Sequence, residues 1–504
     1  MMNSIKLLDS LPQPAFDARQ VQQNEAIVAK SLGVEMFALM EKAGAAVFTH
    51  LRNLHPNSSN ILIICGKGNN GGDGYIIARL AAVANVKVTV LIIAQQEDIK
   101  GDAQIALDML KGTSVAVDFI PEHEPACDVI NKFSGDLIVD CLFGIGFKGV
   151  LATPFKQIIT AVNKHKARTL SVDIPSGLCA NTGVADIAVR ADETVTFIVL
   201  KQGLLTGQAA DFVGELYLAD LNIGSTFIAQ IPTSVFVQGP TNLPSLGKRI
   251  LTSHKGDVGL VLAVGGNKGM PGAIRLASEA ALRAGAGLMA VCCHHENKAM
   301  VFSGRPEIML LPDQLDLLKL KNTVKKAKVL IIGPGLGQDD WAAQLFDWAI
   351  GLNKTCIVDA DALHFVAKNK CYSDKWVLTP HPGEASVLLG CSIAQVLKNR
   401  FDAAKKIASL YGGVCVLKGA GSLISDGHDV WVNTSGNPGM ASGGMGDVLS
   451  GIIAALLLQI NDPMAATRLA TFIHGQAADI IATSNGQRGM LASDLMTVIQ
   501  QLVN

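Results

Sequence analysis

The sequence lacks several features that would assign it to a broad class of protein. Its 42 Lys and Arg residues are balanced by 43 Asp and Glu residues, so it has no basic excess that would attract nucleic acid or an anionic membrane surface. Although 49% of the residues are hydrophobic, the apolar runs stay short of the roughly 20 residues that a bilayer span needs. The first 20 residues contain no apolar segment of a secretory signal. We therefore expect a cytoplasmic protein with neither nucleic-acid nor membrane partners.

The ten cysteines follow no repeated spacing, and no Cys-x-x-Cys pair occurs. This pattern indicates reduced thiols and not a disulfide framework. Cys292, Cys293, His294 and His295 are consecutive and resemble metal ligands, but consecutive side chains rarely converge on one ion without a second cluster. We expect no metal there.

Short apolar runs, many of them followed directly by glycine, alternate with helical patterns along the chain. Such runs are typical of buried parallel strands, and the alternation predicts an α/β fold in two copies. The predicted strands are 61–65, 86–93, 137–141, 169–173, 259–264, 329–332, 355–358, 376–378 and 414–417, and the predicted helices include 24–52, 75–85, 272–286 and 402–411.

Residues 228–248 carry three prolines and two glycines and show no helical periodicity. Breakers of this kind mark a linker, and a chain of 504 residues is long enough for two or more domains at roughly 100 to 200 residues each. We predict one domain over residues 1–235 and a second over residues 236–504.

A glycine-rich stretch, Gly66–Gly74, lies between a predicted strand and a predicted helix. It contains Gly-x-Gly-x-x-Gly at Gly66, Gly68 and Gly71, in the context in which backbone amides bind phosphate at a helix N-terminus. No carboxylate precedes Glu97 in the region where a dinucleotide dehydrogenase binds the ribose. The stretch indicates a nucleotide site of another kind, or a turn that serves packing alone.

Asp140 and Asp173 each end an apolar run that precedes a glycine. Because the carboxyl ends of parallel strands meet at one edge of a sheet, we expect both carboxylates to share a crevice with Asn70 and Ser176. Oxygen ligands without Cys or His suit a hard cation, and Asp173 is alternatively a base. Either aspartate is also explained as the cap of the helix that follows it.

Three motifs, Asn-Asn-Gly-Gly-Asp-Gly at 69–74, Asp-Cys-Leu-Phe-Gly-Ile-Gly at 140–146 and Val-Asp-Ile-Pro-Ser-Gly at 172–177, resemble the NAD(P)H-hydrate epimerase domain over about residues 1–228. The resemblance implies a Rossmann-like three-layer domain that interconverts the R and S forms of hydrated NADH or NADPH in the presence of a potassium ion. It implies potassium ligands at Asn70, Asp140 and Ser176 and proton transfer by Asp173. It implies substrate binding by Asp173 and by Asn69, Asn70, Gly71, Gly72, Asp73, Gly144, Ile145, Gly146, Phe147, Lys148, Gly149 and Val150.

In the second half, Gly-Gly-Met-Gly-Asp at 443–447 leads directly into an apolar helical run. Successive glycine amides before a helix form a nest for an oxyanion, and the helix dipole adds positive potential. Asp447 can take a proton from a substrate hydroxyl while these amides stabilise a transferring phosphoryl group, or it can simply stabilise the first helical turn. No Gly-x4-Gly-Lys-Ser/Thr occurs, so the sequence does not predict a P-loop.

Further polar residues follow other predicted strands of the second half. Asp359, Asp361 and Glu384 are candidate magnesium ligands, acting through water, or helix caps. His381 lies between two prolines at a strand end, where a structural and a functional role are both open.

The motifs His-Lys-Gly-Asp at 254–257, Gly-Pro-Gly-Leu-Gly at 333–337, Pro-His-Pro-Gly-Glu at 380–384 and Lys-Gly-Ala-Gly-Ser at 418–422, together with the motif ending at Asp447, resemble the ADP-dependent NAD(P)H-hydrate dehydratase domain over about residues 245–504. The resemblance implies a ribokinase-like α/β domain that converts the S hydrate to NAD(P)H with release of AMP and phosphate. Asp447 would promote phosphorylation of the hydroxyl. It implies contact with the hydrate by Ala273, Gly335, His381 and Asp447, and with the nucleotide by Lys418, Gly419, Ala420, Gly421, Ser422 and Gly446.

The sequence thus predicts a bifunctional repair enzyme, an isomerase joined to a lyase, acting on NADHX and NADPHX with ADP as co-substrate and forming a homo-oligomer. Magnesium and potassium are the expected ions. One alternative is a ribokinase-like small-molecule or vitamin kinase with a nucleotide-binding partner domain, which would release a stable phosphorylated product. In another, the first domain is a scaffold without activity. The sequence leaves the choice between ADP and ATP open.

Overall fold

The computed structural model describes residues 4–147, 150–311 and 323–504 of the chain. The backbone divides into two compact units, Met1–Phe236 and Val237–Asn504. Each unit contains a mainly parallel sheet with interspersed helices, so the predicted α/β class is confirmed. Among the helices that the structure describes, none has both the length and the apolar character to cross a membrane.

The first unit is built on an eight-stranded sheet of order β1-β10-β8-β7-β6-β3-β4-β5, in which only the edge strand β1 is antiparallel to its neighbour. A separate pair, β2 and β9, is parallel. The strands are β1 (Ile5–Lys6), β2 (Gln13–Phe16), β3 (Asn60–Cys65), β4 (Lys87–Ile92), β5 (Ala116–Phe119), β6 (Leu137–Cys141), β7 (Arg168–Val172), β8 (Glu193–Phe197), β9 (Leu200–Lys201) and β10 (Glu215–Ala219), and β11 (Val235–Val237) spans the division between the units.

Helices cover both faces of this sheet. Along β3, Ile61 and Ile63 pack into a core with helices α2 to α5, whereas Leu62 and Ile64 pack on the other face with α6 and α7. This alternation gives the three layers that the epimerase resemblance implies. The helices are α1 (Leu7–Ser10), α2 (Ala18–Ser31), α3 (Met36–Leu54), α4 (Asn69–Val83), α5 (Asp102–Asp108), α6 (His123–Lys132), α7 (Thr153–Lys164) and α8 (Gly224–Gln230), with 3₁₀ turns at Gln96–Asp98, Gln202–Leu204 and Gly207–Asp211.

Two helix predictions in this unit are wrong. The pattern over 24–52 is two helices, because Gly33 takes a φ of +68° and a Schellman pair of hydrogen bonds, Gly33 N–H to Lys30 O and Val34 N–H to Ala29 O, ends α2. In the second case, the helix that follows the glycine turn, α4, begins at Asn69 and not near Tyr75. Most of that stretch is therefore helix, and only its first residues form a turn.

The second unit contains strands in the order β14-β13-β12-β15-β16-β17-β18-β19-β20, parallel from β14 to β18 and antiparallel from β18 to β20. Val329 and Ile331 of β15 pack into a core with the long C-terminal helices, while Leu330 and Ile332 are buried on the opposite face. The strands are β12 (Leu260–Val264), β13 (Leu288–Cys292), β14 (Ile308–Leu310), β15 (Ala327–Ile332), β16 (Thr355–Val358), β17 (Trp376–Leu378), β18 (Val414–Leu417), β19 (Ser422–Ser425) and β20 (Val430–Asn433).

The helices of this unit follow most of its strands. They are Lys255–Val258, Pro271–Arg283, Lys298–Phe302, Asp340–Gly351, Asp361–Asn369, Pro382–Leu389, Ile393–Lys398, Arg400–Tyr411, Met445–Leu457, Pro463–Asn485 and Leu495–Leu502, with 3₁₀ turns at Pro240–Asn242, His295–Asn297, Pro438–Met440 and Ala492–Asp494.

Candidate active sites

The predicted motifs of the first unit meet at one edge of its sheet. β3, β6 and β7 are parallel neighbours, so the residues that follow them lie side by side. The approach is close: a Cβ on Gly66 would lie 2.2 Å from the backbone oxygen of Leu142. Glycine is required at this turn because any side chain would separate it from the loop after β6.

A cavity of about 560 Å³ opens at this edge. Gly71 and Gly72 are buried residues of α4 and Val150 is exposed, and none of the three lines the cavity. Lys148 and Gly149 lie outside the described residues. The predicted substrate residues that line the cavity are Asn69, Asn70, Asp73, Gly144, Ile145, Gly146, Phe147 and Asp173.

Asp173 is held by a buried ion pair that sequence reasoning missed. Lys201 Nζ donates to Asp173 Oδ1 at 2.6 Å, to Phe197 O at 2.7 Å and to Thr196 Oγ1 at 3.0 Å, which uses all three of its protons. Asp173 has a φ of +65°, a left-handed conformation that aspartate adopts only at a cost, and it caps no helix. The signal that could have revealed Lys201 is a single charge within the apolar run from 197 to 205.

Asp140 and Ser176 are in contact, as predicted, but neither lines the cavity with Asp173 and Asn70, so the prediction that all four share one crevice is wrong for these two residues. Ser176 donates to the Asp140 carboxylate from its hydroxyl at 2.5 Å and from its backbone N–H at 2.8 Å, and Ser171 Oγ donates at 2.9 Å. Burial raises the pKa of Asp140, and these hydrogen bonds oppose that shift. The carboxylate is thus fixed by strand-end hydroxyls, and it caps no helix.

Asn70 is adjacent to this pair through the loop after β6. Ser176 Oγ accepts from Phe143 N–H at 2.9 Å, and the next residue, Gly144, lies so close to Asn70 that a Cβ on Gly144 would be 3.3 Å from Asn70 Oδ1. Both polar atoms of the Asn70 side chain are buried, and no hydrogen-bond partner for them is found in the described part of the chain. A buried amide without partners is costly, so it indicates a missing ligand.

Two further carboxyl groups line the cavity, Glu25 from α2 and Asp73 from α4. Burial, and then the neighbouring charge of Asp173, raise the pKa of Glu25 to about 7, with Lys201 opposing the shift. The same causes, with Glu25 added, raise the pKa of Asp73 well above its usual value. Glu25 belongs to no motif, and only its position at the wall of the cavity reveals it.

In the second unit, the residues after β16, β17 and β18 converge on a lysine. Lys418 Nζ donates to Asp359 Oδ1 at 3.0 Å and lies 3.7 Å from Glu384 Oε2, while Ser450 Oγ donates to Asp359 Oδ2 at 2.7 Å. Burial alone would lower the pKa of Lys418, but the charges of Asp359 and Glu384 outweigh it and raise that pKa. Lys418 is therefore a charged ammonium group at the strand ends.

Asp447 lies in the first turn of the helix Met445–Leu457 and faces the same cluster. Burial, followed by the charge of Asp359 and opposed by Lys418, raises the pKa of Asp447 to about 7. Gly446 is next to Lys418: a Cβ there would be 3.2 Å from the ammonium nitrogen. Gly444 takes a φ of +89° at the helix N-terminus, so the predicted glycine turn and carboxylate are both in place.

The remaining predicted site residues of this unit make separate local contacts. Gly335, with a φ of +59°, lies against Ala273, since a Cβ on Gly335 would be 3.4 Å from the Ala273 Cβ. His381 caps the helix Pro382–Leu389 through Nδ1 and leaves its ring largely exposed, and Asp361 accepts from Gly337 N–H at 2.8 Å. The turn at Lys418, Gly419, Ala420, Gly421 and Ser422 is closed by Ser422 Oγ donating to Gly419 O at 2.9 Å and is exposed at Gly419 and Ala420.

The four consecutive candidate metal ligands at 292–295 do not all belong to one cluster in the structure. His294, His295 and Glu296 have side-chain atoms within 4.8 Å of one another, but the group is mostly exposed, and Cys292 and Cys293 do not belong to it. Glu296 is already paired with Lys268 at 2.8 Å. This arrangement carries no indication of a bound ion.

Comparisons with known proteins match both units. Residues 36–203 match the family model for the N-terminus of YjeF-related proteins, and residues 261–501 match the model for NAD(P)H-hydrate dehydratase. One solved structure that resembles the chain is an ADP/ATP-dependent NAD(P)H-hydrate dehydratase from Bacillus subtilis co-crystallized with ATP/Mg²⁺; it is 29% identical, covers 52% of this chain and 98% of that chain, and has a TM-score of 0.46.

Full-length relatives are more informative. The bifunctional NAD(P)H-hydrate repair enzyme Nnr of Escherichia coli (strain K12) is 41% identical over 497 residues, which are 98% of this chain and 95% of that protein. The enzyme of the same name from Vibrio cholerae is 42% identical over 496 residues, 98% of this chain and 99% of that protein. With this identity along nearly its whole length, the chain belongs to the family of bifunctional NAD(P)H-hydrate repair enzymes.

Proposed function

We propose that this chain repairs hydrated NADH and NADPH: residues 1–235 interconvert the R and S hydrates, and residues 236–504 dehydrate the S hydrate at the expense of ADP. The observation that carries the proposal is that each unit has its own buried carboxylate–lysine pair at the carboxyl ends of its parallel strands. These pairs are Asp173 with Lys201 and Asp359 with Lys418. Each lies next to a glycine-rich helix N-terminus suited to a phosphate-bearing ligand.

In the first unit we assign proton transfer to Asp173. Water adds to a dihydronicotinamide at the ring carbon beside the nitrogen, so inversion of the hydrate breaks and remakes a bond at that carbon and moves a proton. Asp173 lines the cavity, and its hydrogen bonds from Lys201, Thr196 and the Phe197 N–H all go to Oδ1. Oδ2 accepts none from the described residues and is available to a proton of the substrate or of water. Residues 69–73 and 144–150 are the proposed walls of the substrate site.

A potassium ion is proposed beside this cavity. Asn70, Asp140 and Ser176 would hold it, because the unpartnered Asn70 oxygen and the buried Asp140 carboxylate are hard oxygen ligands close to one loop. When bound, the ion supplies positive charge next to the anionic substrate. The residues themselves keep the loop after β6 in place: Ser176 binds both Asp140 and Phe143.

In the second unit we assign the base to Asp447. It would take the proton of the hydrate's hydroxyl as that oxygen attacks the β-phosphorus of ADP, so that AMP leaves and a phosphate ester forms. The ring nitrogen's electron pair then expels phosphate, and loss of the neighbouring C–H proton restores the dihydronicotinamide. Ala273, Gly335 and His381 are the proposed contacts to the hydrate. Lys418, Gly419, Ala420, Gly421, Ser422 and Gly446 are the proposed contacts to the nucleotide.

Magnesium is proposed with the nucleotide. Four carboxylates, those of Asp359, Asp361, Glu384 and Asp447, influence one another here while one lysine, Lys418, offsets them. This surplus of oxygen ligands and negative charge fits a divalent cation held through water by Asp359, Asp361 or Glu384. When bound, it neutralises charge on the phosphates.

The test supplies a mixture of R and S hydrate with ADP or ATP and follows both isomers and the nucleotide products by chromatography. We expect recovery of NADH absorbance from both isomers with release of AMP and phosphate from ADP. Asp447→Asn should stop the recovery of NADH but leave R-to-S exchange intact. Asp173→Asn should leave the R isomer unconverted. Asp402→Asn, a substitution of the same kind at an exposed position, is the control. A stable phosphorylated product in place of restored NADH would identify a small-molecule kinase and refute the proposal.

Two further assignments are proposals about the whole molecule. Cys65, Cys141, Cys356 and Cys415 are buried thiols, which supports a reducing compartment such as the cytoplasm. We also propose that the chain forms a homo-oligomer. Light scattering should give the mass of two or more chains of 53.0 kDa each, and the mass of a single chain would refute the homo-oligomer.

A further inference from the structure

The cavity of the first unit contains a carboxyl group to which the proposed function gives no task. Glu25 lies on α2, ahead of residues 36–203 that match the family model, and it lines the cavity together with Asp173. Its side chain is half-buried, and in the described part of the chain its carboxyl makes neither a hydrogen bond nor an ion pair. A carboxyl group that is partly withdrawn from water and unpaired, at the wall of a substrate cavity, is free to act on a ligand.

The charges around Glu25 do not balance. Asp173 and Asp73 are the neighbouring carboxyl groups, and Lys201 is the only buried cation among the described residues that line the cavity. All three protons of Lys201 are used by Asp173, Thr196 and Phe197, so none remains for Glu25.

Lys67 and Asp102 are the other charged groups among the described residues that line the cavity: Lys67 is largely exposed and 4.0 Å from Asp98, and Asp102 is half-buried. Three ionised carboxylates beside a single lysine that is already paired would repel one another. This repulsion is reduced when one of the three carboxyl groups stays protonated. The pKa of Glu25, raised to about 7 first by burial and then by Asp173, agrees with that sign.

We propose that Glu25 is the second catalytic residue of the epimerase, the general acid that works opposite the base Asp173. The proposal rests on the proposed function of the first unit. Glu25 reaches the cavity from α2 and Asp173 from the strand ends, so a ring bound in this cavity can meet a carboxyl group from each of these two elements. Asp73 also lines the cavity, but it is less suited to this role because it is buried in α4, with 8% of its surface exposed, whereas Glu25 is half-buried.

The Glu25 carboxyl gives its proton to the hydroxyl, the carbon–oxygen bond breaks, and water leaves as the electron pair of the ring nitrogen forms an iminium bond. A water molecule then adds to the opposite face of that carbon and gives a proton to the Asp173 carboxylate. The proton returns to Glu25 through solvent, or the two groups exchange roles in the reverse direction.

The test uses the full chain, with Glu25→Gln as the variant and Glu97→Gln, an exposed glutamate outside the cavity, as the matched control. We expect Glu25→Gln to lower the epimerase rate by about 10²- to 10⁴-fold and Glu97→Gln to leave it unchanged. Dehydration of the S hydrate by the second unit should be the same in all three proteins. A Glu25→Gln rate equal to that of the unaltered chain would overturn the proposal.

The pH profile separates an acid from a structural role. An acid with a pKa of about 7 is protonated below that pH, so the rate of the unaltered chain should fall as pH rises above about 7. Glu25→Asp should retain this limb, and Glu25→Gln should lose it. A rate without such a limb in the unaltered chain, or a limb that persists in Glu25→Gln, contradicts the role of Glu25 whether or not a variant folds well.

Oxygen exchange tests the chemistry independently. In water enriched in ¹⁸O, each inversion should place one ¹⁸O in the hydrate, and Glu25→Gln should slow inversion and incorporation equally. Inversion without incorporation contradicts the elimination of water. Absence of any inversion above the uncatalysed rate in the unaltered chain would instead defeat the proposed function of the first unit, so the two failures are distinguishable.

Discussion

Replacement of Lys201 by methionine is the sharpest test of how the first site is held together. Lys201 is 1% exposed, and its ammonium group makes three hydrogen bonds of 2.6, 2.7 and 3.0 Å. Methionine has a similar length and no charge, so Lys201→Met removes the cation with little change in packing. Asp173 then keeps a buried carboxylate without its cation.

The magnitude follows from the burial of both partners. Breaking a buried ion pair by removing one partner costs about 3 to 5 kcal/mol, because the other charge remains uncompensated. The Asp173 side chain is 10% exposed and lines the cavity, so water relieves part of this cost, and we expect about 3 kcal/mol. Asp173→Asn alone should cost about 1.5 to 3 kcal/mol, the value of a hydrogen bond to a charged group. Combining the two removes both charges, so the double variant should be more stable than the sum by about 1 to 3 kcal/mol.

The assay must distinguish the two units, since a chain with two units does not unfold in one step. The tryptophans, at positions 341, 348, 376 and 431, all lie in the second unit, so their fluorescence reports that unit only and serves as the internal control. Unfolding of the first unit is followed by hydrogen exchange of peptides from β7 to β9 at increasing urea concentrations. Additive effects of the two substitutions, or a cost of Lys201→Met below about 1 kcal/mol, would refute the ion-pair account.

Three other perturbations test the remaining geometry. Asp447→Asn should lower ADP-dependent dehydration at least about 100-fold and leave epimerisation intact; equal dehydration rates would remove Asp447 as the base. Exchange of potassium for tetramethylammonium should weaken epimerisation in the unaltered chain but not in Asn70→Ala, and a chain indifferent to the exchange has no potassium site. Gly66→Ala places a Cβ 2.2 Å from the Leu142 backbone oxygen, so it should destabilise the first unit by at least about 1 to 3 kcal/mol and abolish epimerisation alone, as measured by hydrogen exchange and by both activities.

Most of the sheet was predictable because parallel strands are short apolar runs with polar ends. The predicted bounds of β6, β16, β17 and β18 agree with the structure at both ends. Once the strands are identified, the parallel arrangement alone brings the residues after β6 and β7 together, since neighbouring parallel strands end at the same edge. For this reason the association of Asp140 with Ser176 followed from the sequence.

The error at the start of α4 comes from packing contacts that helix propensity does not describe. Gly71 and Gly72 disfavour a helix by propensity, yet both are helical, because a Cβ on Gly71 would lie 2.1 Å from Gly66 O and one on Gly72 2.7 Å from Met40 Cε. Glycine is selected there by the close packing of α4, which overrides propensity. A local pattern contains no information about these neighbours.

Glu25 and Lys201 were missed for the same reason. Lys201 is joined to a residue 28 positions earlier in the chain, and Glu25 becomes unusual only when burial and Asp173 act on it together. Sequence reasoning identifies residues whose type and spacing belong to a motif. Residues whose chemistry arises from the surrounding charge need the three-dimensional structure.

The two sites use charge in the same way, and this similarity limits how each reaction can proceed. In each, a lysine is paired with one strand-end carboxylate: the buried Lys201 with Asp173 in the first unit, and Lys418, whose side chain is 20% exposed, with Asp359 in the second. A further carboxyl group then faces the site without a cation of its own, Glu25 or Asp447, and each has a pKa of about 7. Such a group changes protonation state near neutral pH at little cost, which suits it to donate or accept a proton. The lysine thus keeps its partner carboxylate anionic, which in the first unit is the form in which Asp173 acts as the base, while the neighbouring carboxyl group, Glu25 or Asp447, changes protonation state near neutral pH. Removal of the lysine's charge should therefore disturb the neighbour's chemistry as well as the pair itself.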